Sequence, residues 1–387
     1  MSNKYEEIMS RITEITDQPY ETAKRKKEEK GQKTIGYFAM HFPEELIHAS
    51  GLYPVLLQES NDPVTSGHAY YYSFFCGPSR SLVDQAAKEE LNFLDAIIVG
   101  DYCIQEIGAG EVLGDKLPKV KNLFFRLPVG NMPWTGDDIV EGLKELKRDI
   151  ESITGKTITD NDIKRSFKIY NKNRQLLREI YEIRNKTPEV ISAKDLVRII
   201  QSSMVMLKEE NNILLAELVE ALKTKAVPKK TGPKVFLSGS LCGAPKFDIL
   251  SIIENAGAVV VGDDLFHGWR YISSDIDESI KDPLKAISEY YIRRNKDVPC
   301  PIRVDPDTKW EQYLVDRVKE LGADQLIILV AKYCEAHMFF YPDIKEAVEK
   351  AGIPHLQIQI EHEIVSLEAV KTRVEAFLEM TEIAAAK

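Results

Sequence analysis

Apolar residues along the chain fall into three regimes. Up to about residue 125, short β-prone runs alternate with amphipathic stretches: "KTIGYFAMHFPEELIHASGLYPVLL" reads as strand, loop, helix and strand, with Pro43, Glu44 and Glu45 at the helix start and Gly51 at its stop. "GPSRSLVDQAAKEELN" then predicts a helix, "DAIIVG" a strand, "DYCIQEIGAGEVLGDKL" a loop and helix, and "KNLFFRL" a strand. From Asp137 to Lys223 the period changes to 3.6 on long charged segments, and "GDDIVEGLKELKRDIESI", "DNDIKRSFKIYNKNRQLLREIYEIRNK" and "SAKDLVRIIQSSMVMLKEENNILLAELVEALK" each predict one helix. Past the linker "AVPKKTGPK" the alternation resumes, with "KVFLSGS", "AVVVGDD", "DQLIILVAKYC" and "HLQIQIE" as strands between helices. Strands and helices alternating at this spacing imply parallel sheets covered on both faces. The expected architecture is α/β: two open doubly wound parallel-sheet domains with a helical segment between them. The divisions fall at 1–136 (an N-terminal helix and the first sheet), 137–232 (helices and linker) and 233–387 (the second sheet).

Composition narrows the class. A chain of 387 residues can bury two or three cores without staples. Its five cysteines form neither a CxxC pair nor a secreted-type spacing, so reduced thiols in a cytoplasm are expected. The charged N-terminus lacks the apolar region of a signal peptide, and no apolar run reaches the ~18 residues needed to span a bilayer. With 61 acidic against 51 basic residues the net charge is −10, which argues against nucleic acid as a partner. The basic cluster Lys24-Arg25-Lys26-Lys27 runs into Glu28 and Glu29 and reads as a solvated helix face.

Three cysteines stand at element ends. "ILVAKYCEAH" (Ile328 to His337) carries a strand into Tyr333 and Cys334, and "IIVGDYC" (Ile97 to Cys103) has the same shape in the first domain. Carboxyl ends of parallel strands are where ligands bind in open α/β sheets. Cys76 precedes Gly77 and Pro78 at a helix start, a position that favours thiolate. A buried free thiol packed as a small hydrophobe is the plain alternative for each. Three thiolates with one open position suit either zinc with an outside ligand or a [4Fe–4S] cluster with one iron free. Zinc sites usually draw two ligands from one short hairpin, so the wide separation of Cys76, Cys103 and Cys334 fits a cluster between domains better. Cys242 and Cys300 lack this context and read as structural.

Taken together, "EELIHASGLYP", "SFFCGPSRS", "GDYC", "GSLCGAP", "DDLFHGWR", "AKYCEAHMFFYPDIK" and "KTRVEAFLEM" resemble the 2-hydroxyacyl-CoA dehydratase and benzoyl-CoA reductase family, in order, from Lys33 to Met380. The resemblance implies one [4Fe–4S] cluster per chain on Cys76, Cys103 and Cys334, an acyl-CoA substrate, a homologous second subunit, and an ATP-hydrolysing iron–sulfur activator. It also implies the chemistry. One electron added to a thioester carbonyl gives a ketyl radical anion that expels hydroxide from carbon 2; in the reductase version the electrons enter the ring of benzoyl-CoA. The aromatics Tyr70, Tyr71, Tyr72, Phe74 and Phe75 beside Cys76 tilt the reading slightly toward ring reduction. A non-catalytic electron-relay or supporting subunit, and a zinc-binding hydrolase-like protein, are the rival readings.

An activator must be a separate protein, because the lone "GKT" (Gly155 to Thr157) has Ile150 where a P-loop needs glycine. "GAGEVLG" (Gly108 to Gly114) likewise misses the dinucleotide spacing. "SGSLCGAP" follows a strand and precedes a helix, so amides from Gly239 to Gly243 could cradle a CoA phosphate or simply form a packing turn. His41, Glu45, His337 and Glu361 are candidates for proton handling, and Arg270 in "HGWR" for pairing with a phosphate or carboxylate, against ordinary structural roles for each. Tyr72 completes the expected substrate contacts.

Overall fold

The computed structural model describes residues 2–38, 42–101, 103–226, 231–239, 247–302, 305, 307–363 and 367–385. His41, Tyr102, Cys242 and Gly243 lie outside the described residues.

Helices α1 (Ser2–Asp17) and α2 (Glu21–Lys30) precede the first sheet, built from β1 (Thr34–Tyr37), α3 (Glu44–Ala49), β2 (Tyr53–Leu56), α4 (Gly77–Ala87), β3 (Ala96–Gly100), α5 (Ile104–Lys116) and β4 (Lys121–Phe125). The strands run parallel in the order β2-β1-β3-β4. Strands β1 to β3 are buried at every position, whereas edge strand β4 is exposed at Lys121, Asn122 and Phe124. That contrast explains why continuous apolar runs, rather than alternation, announced the fully buried strands.

The middle of the chain forms α6 (Thr135–Thr154), α7 (Asp160–Lys186), α8 (Ala193–Val205) and α9 (Lys208–Lys223). One expected helix is thus two. Met206 and Leu207 leave the helical conformation, and the buried Lys208 amine donates to the Ser203 carbonyl and, at 2.7 Å, to the Tyr271 hydroxyl. The apolar period runs on through this break, so it carried no sign of it.

The second sheet repeats the first. It comprises β5 (Lys234–Gly239), α10 (Phe247–Asn255), β6 (Val259–Asp263), α11 (Trp269–Ile272), α12 (Pro283–Asp297), α13 (Trp310–Glu320), β7 (Gln325–Ala331), α14 (Glu335–Lys350), β8 (His355–Ile360) and α15 (Leu367–Ala385). Its parallel order is β6-β5-β7-β8. In both sheets the first strand is flanked by the second and third, so the strand order reverses there and a crevice opens at the carboxyl ends. β3 and β7 occupy equivalent places, and the paired motifs "IIVGDYC" and "ILVAKYC" are therefore the same structural feature used twice.

The central helices are not a separate layer. α8 packs on β2 and α7 on β6, and one continuous apolar core joins the N-terminal helices, the first sheet, α6 to α9 and much of residues 266–302. The second sheet has its own core on each face. Among the described residues no helix is long and apolar enough to cross a membrane.

Candidate functional site

Each of the three cysteines is the residue immediately before a helix: Cys76 caps α4, Cys103 caps α5 after β3, and Cys334 caps α14 after β7. All three line one cavity of about 250 Å3, with Ile104, Val129, Ile302, Ala331 and Ala336 supplying apolar wall. Three helix N-termini thus converge on one space, each with partial positive charge toward it. The turn that carries Cys334 is unusual, because Tyr333 holds φ +67°, a left-handed conformation sparsely populated by bulky residues. No three His, Cys, Asp or Glu side chains among the described residues are drawn together tightly enough to hold a single metal ion.

The three cysteines are half-buried thiols in no disulfide. Burial pushes the Cys76 thiol up to about 12, partly offset by the hydroxyl and amide of Ser79, whose Oγ lies 3.3 Å from the sulfur. Cys103 is likewise pushed up to about 12, by burial and then by the Glu106 carboxylate. Both are therefore neutral thiols at pH 7 when no ligand is bound. Their raised folded-state values make a contribution to stability that is present below the ordinary thiol value near 9 and lost as the pH climbs toward 12. Since the thiolate is the reactive form, alkylation of Cys76 and Cys103 by iodoacetamide in the ligand-free chain should keep accelerating through pH 10. Peptide mass spectrometry reads this, and a plateau below pH 9 would contradict it.

His337 is buried, and burial followed by the charge of Arg270 holds it well below the ordinary imidazole range. It is therefore neutral at pH 7. Its Nδ1 lies 3.3 Å from Cys334 Sγ and its ring stands edge-on to Trp310 at 5.0 Å. Glu361, at the end of β8, pairs with Lys332 at 3.0 Å and approaches Arg80 of α4 at 3.7 Å. The neighbouring His362 stitches the two domains, its Nδ1 2.5 Å from Glu59 and its Nε2 donating to the Asp62 carbonyl at 2.7 Å.

The other expected site residues have different surroundings. Glu45 is buried in the large core and ion-paired with Arg174 at 2.7 Å, so its charge is already matched away from the cavity. Arg270, 3% exposed, donates to the carbonyls of Asp264 (3.2 Å), Val298 (2.8 Å) and Pro299, with Asp264 Oδ2 at 3.5 Å. A guanidinium so engaged braces the second domain from within. Gly239 has φ +148°, and a Cβ there would overlap the Leu329 carbonyl oxygen. Its lack of a side chain thus answers a strand contact inside the sheet. Tyr72, 67% exposed, stacks on Phe74 with ring centroids 5.1 Å apart and does not line the cavity. Gly155 of "GKT" is the left-handed residue that ends α6, its N–H donating to Glu151 at 2.8 Å, which is no phosphate loop. Cys300 is buried in the large core. Sequence reasoning missed Gln105, Ser79 and Glu106 around the sulfurs; the only available signal was their position in the first turn of helices that begin at cysteines.

A repeated doubly wound sheet whose equivalent strands deliver cysteines to one crevice defines the class of protein. The chain matches, over residues 39–381, the family described as "2-hydroxyglutaryl-CoA dehydratase, D-component", and it belongs to that family. It is 26% identical over 380 residues to the (R)-phenyllactyl-CoA dehydratase beta subunit of Clostridium sporogenes, covering 98% of this chain and 100% of that protein. Against the (R)-2-hydroxyglutaryl-CoA dehydratase beta subunit of Acidaminococcus fermentans the identity is 27% over 358 residues, covering 90% and 92%. Against a benzoyl-CoA reductase subunit of Thauera aromatica it is 22% over 360 residues, covering 91% and 92%.

Proposed function

We propose that this chain is the cluster-bearing subunit of a heteromeric enzyme that dehydrates a 2-hydroxyacyl-CoA, with Cys76, Cys103 and Cys334 holding one [4Fe–4S] cluster. The observation that carries the reading is the delivery of three helix-capping cysteines from two sheet domains to a single cavity. The donor set fits: three thiols leave one corner of a cluster free of cysteine. When bound, such a cluster supplies single electrons at a low potential set by burial and by hydrogen bonds to its sulfurs.

The chain's own residues would then do four things. The three sulfurs bind as thiolates, releasing the protons that burial holds on Cys76 and Cys103 in the free chain. The ends of α4, α5 and α14 direct amide dipoles at that added negative charge. Neutral His337, in the tautomer protonated at Nδ1, would donate to the Cys334 sulfur 3.3 Å away. Buried Ile302 and Ala331 limit water at the inner wall, while Ile104 and Val129 stand exposed at the rim.

A cavity of about 250 Å3 suits a compact inorganic group. Pockets for organic ligands run from roughly 300 to 1,000 Å3, so the bulk of an acyl-CoA is met outside it, which supports a substrate site completed by the homologous partner. ATP hydrolysis is assigned to a separate activator, in keeping with the "GKT" of this chain, which forms a helix end. The case for ring reduction rested on Tyr70, Tyr71, Tyr72, Phe74 and Phe75 as an aromatic wall, and none of the five lines the cavity: Tyr71 is buried and Tyr70, Tyr72 and Phe74 are exposed. Dehydration is therefore the reading adopted, in keeping with the dehydratase subunits among the relatives. The test is to purify the chain anoxically with its homologous partner, add the activator, ATP and a reductant, and supply 2-hydroxyacyl-CoAs and benzoyl-CoA in parallel. Loss of the 2-hydroxyl is expected; reduction of benzoyl-CoA alone would overturn the assignment, and stoichiometric zinc without sulfide would overturn the cluster.

A further inference from the structure

We infer that Gln105 is the positioning residue that holds the three cysteine-bearing segments in register across the two sheet domains, an inference that rests on the cluster reading above. Gln105 lies in the first turn of α5, two residues after Cys103, and is 5% exposed. Its side-chain Oε1 accepts the Cys76 backbone N–H at 2.6 Å. Its Nε2 donates to the Tyr333 carbonyl at 2.8 Å, next to Cys334. Its own carbonyl accepts the hydroxyl of buried Tyr71, five residues before Cys76. One residue thus touches the segments of all three cysteines, although its partners lie 29 and 228 residues away along the chain.

The chemistry requires an amide. Cys76 N–H needs an acceptor and Tyr333 C=O needs a donor, and the reversed amide would set like against like, so the partners determine its orientation. Ionised glutamate could serve only Cys76, and leucine neither. The Tyr333 contact bears on the left-handed residue that turns the chain from β7 into α14, so it secures the peptide from which Cys334 projects. Three ligands from separate elements bind well only at a set separation, and partners that orient ligands typically alter metal affinity 10- to 100-fold when removed.

The experiment compares the full-length chain, Q105L and Q105E, each reconstituted anoxically with iron and sulfide. Two quantities are read: iron release to a chelator, and hydrogen exchange of peptides containing Cys76 in the ligand-free chains. Q105L should release iron about tenfold or more faster and exchange the Cys76 amide faster. Q105E should keep the Cys76 amide protected, because its carboxylate still accepts, while releasing iron faster than wild type. A merely structural residue would not separate the two variants in this way. Wild-type iron release in Q105L, or unchanged exchange at Cys76, overturns the inference. Failure of the wild-type chain to take up iron and sulfide instead overturns the cluster reading, and the exchange data still judge the clamp.

Discussion

Replacing Cys334 by serine should strip the chain of the iron proposed for it. The anoxically reconstituted wild-type chain should carry about four irons and four sulfides, the content of one cubane cluster, and the variant less than one iron. Cys334 is the second domain's only cysteine among the residues lining the cavity, facing Cys76 and Cys103 from the first. A serine hydroxyl stays protonated where the thiolate binds, and two remaining thiolates cannot secure a cluster between domains. Cys300→Ser is the matching control: Cys300 is equally a thiol in no disulfide, but it lies in the large core and off the cavity, so full iron content should survive. Iron and sulfide analysis with the visible spectrum reads both. A C334S chain with full iron, or a C300S chain without it, would refute the ligand assignment.

Replacing Arg174 by methionine should destabilise the chain by about 3–5 kcal/mol, the usual result of leaving a buried charge without its partner. Arg174 donates to Glu45 at 2.7 Å and to Asn171, with both members of the ion pair almost wholly buried. The pair joins α3 to α7, and so ties the first sheet to the central helices. Replacing Glu45 and Arg174 together by apolar residues should restore most of the loss, since desolvating two charges offsets much of their attraction. Denaturant unfolding of the single and double variants measures the coupling. If R174M unfolded like wild type while abolishing turnover, Glu45 would have to be returned to proton handling, the role its sequence position first suggested.

Much of this architecture was legible because it is written in local periods. Buried parallel strands such as "AIIVG" and "QLIILVA" must be apolar at every position, and the central helices must repeat every 3.6 residues, whatever lies around them. The cysteines at 103 and 334 were legible for a related reason: a chain leaving a parallel strand meets the ligand crevice, and the same strand motif recurs at equivalent places in two sheets. The division of one long expected helix at Met206 was not legible, since a buried lysine and a tyrosine 63 residues away stabilise the break.

Site assignment failed where partners were distant. Glu45 reads as a helix-start carboxylate until an arginine 129 residues later is brought against it. Gly239 reads as a phosphate loop until the Leu329 carbonyl of the neighbouring strand is seen to fill the space a side chain needs. Gln105 carries no signature beyond its place in the first turn of a helix that begins at a cysteine, because its partners are one donor and one acceptor supplied by loops of two different domains. By itself the sequence determined the elements, apart from the break at Met206, their α/β class and the three thiols at their ends, since these are set by patterns a few residues long. Only the tertiary structure decided which charges were already matched, and what holds the thiols together, because hydrogen bonds and ion pairs between distant segments leave no period to read.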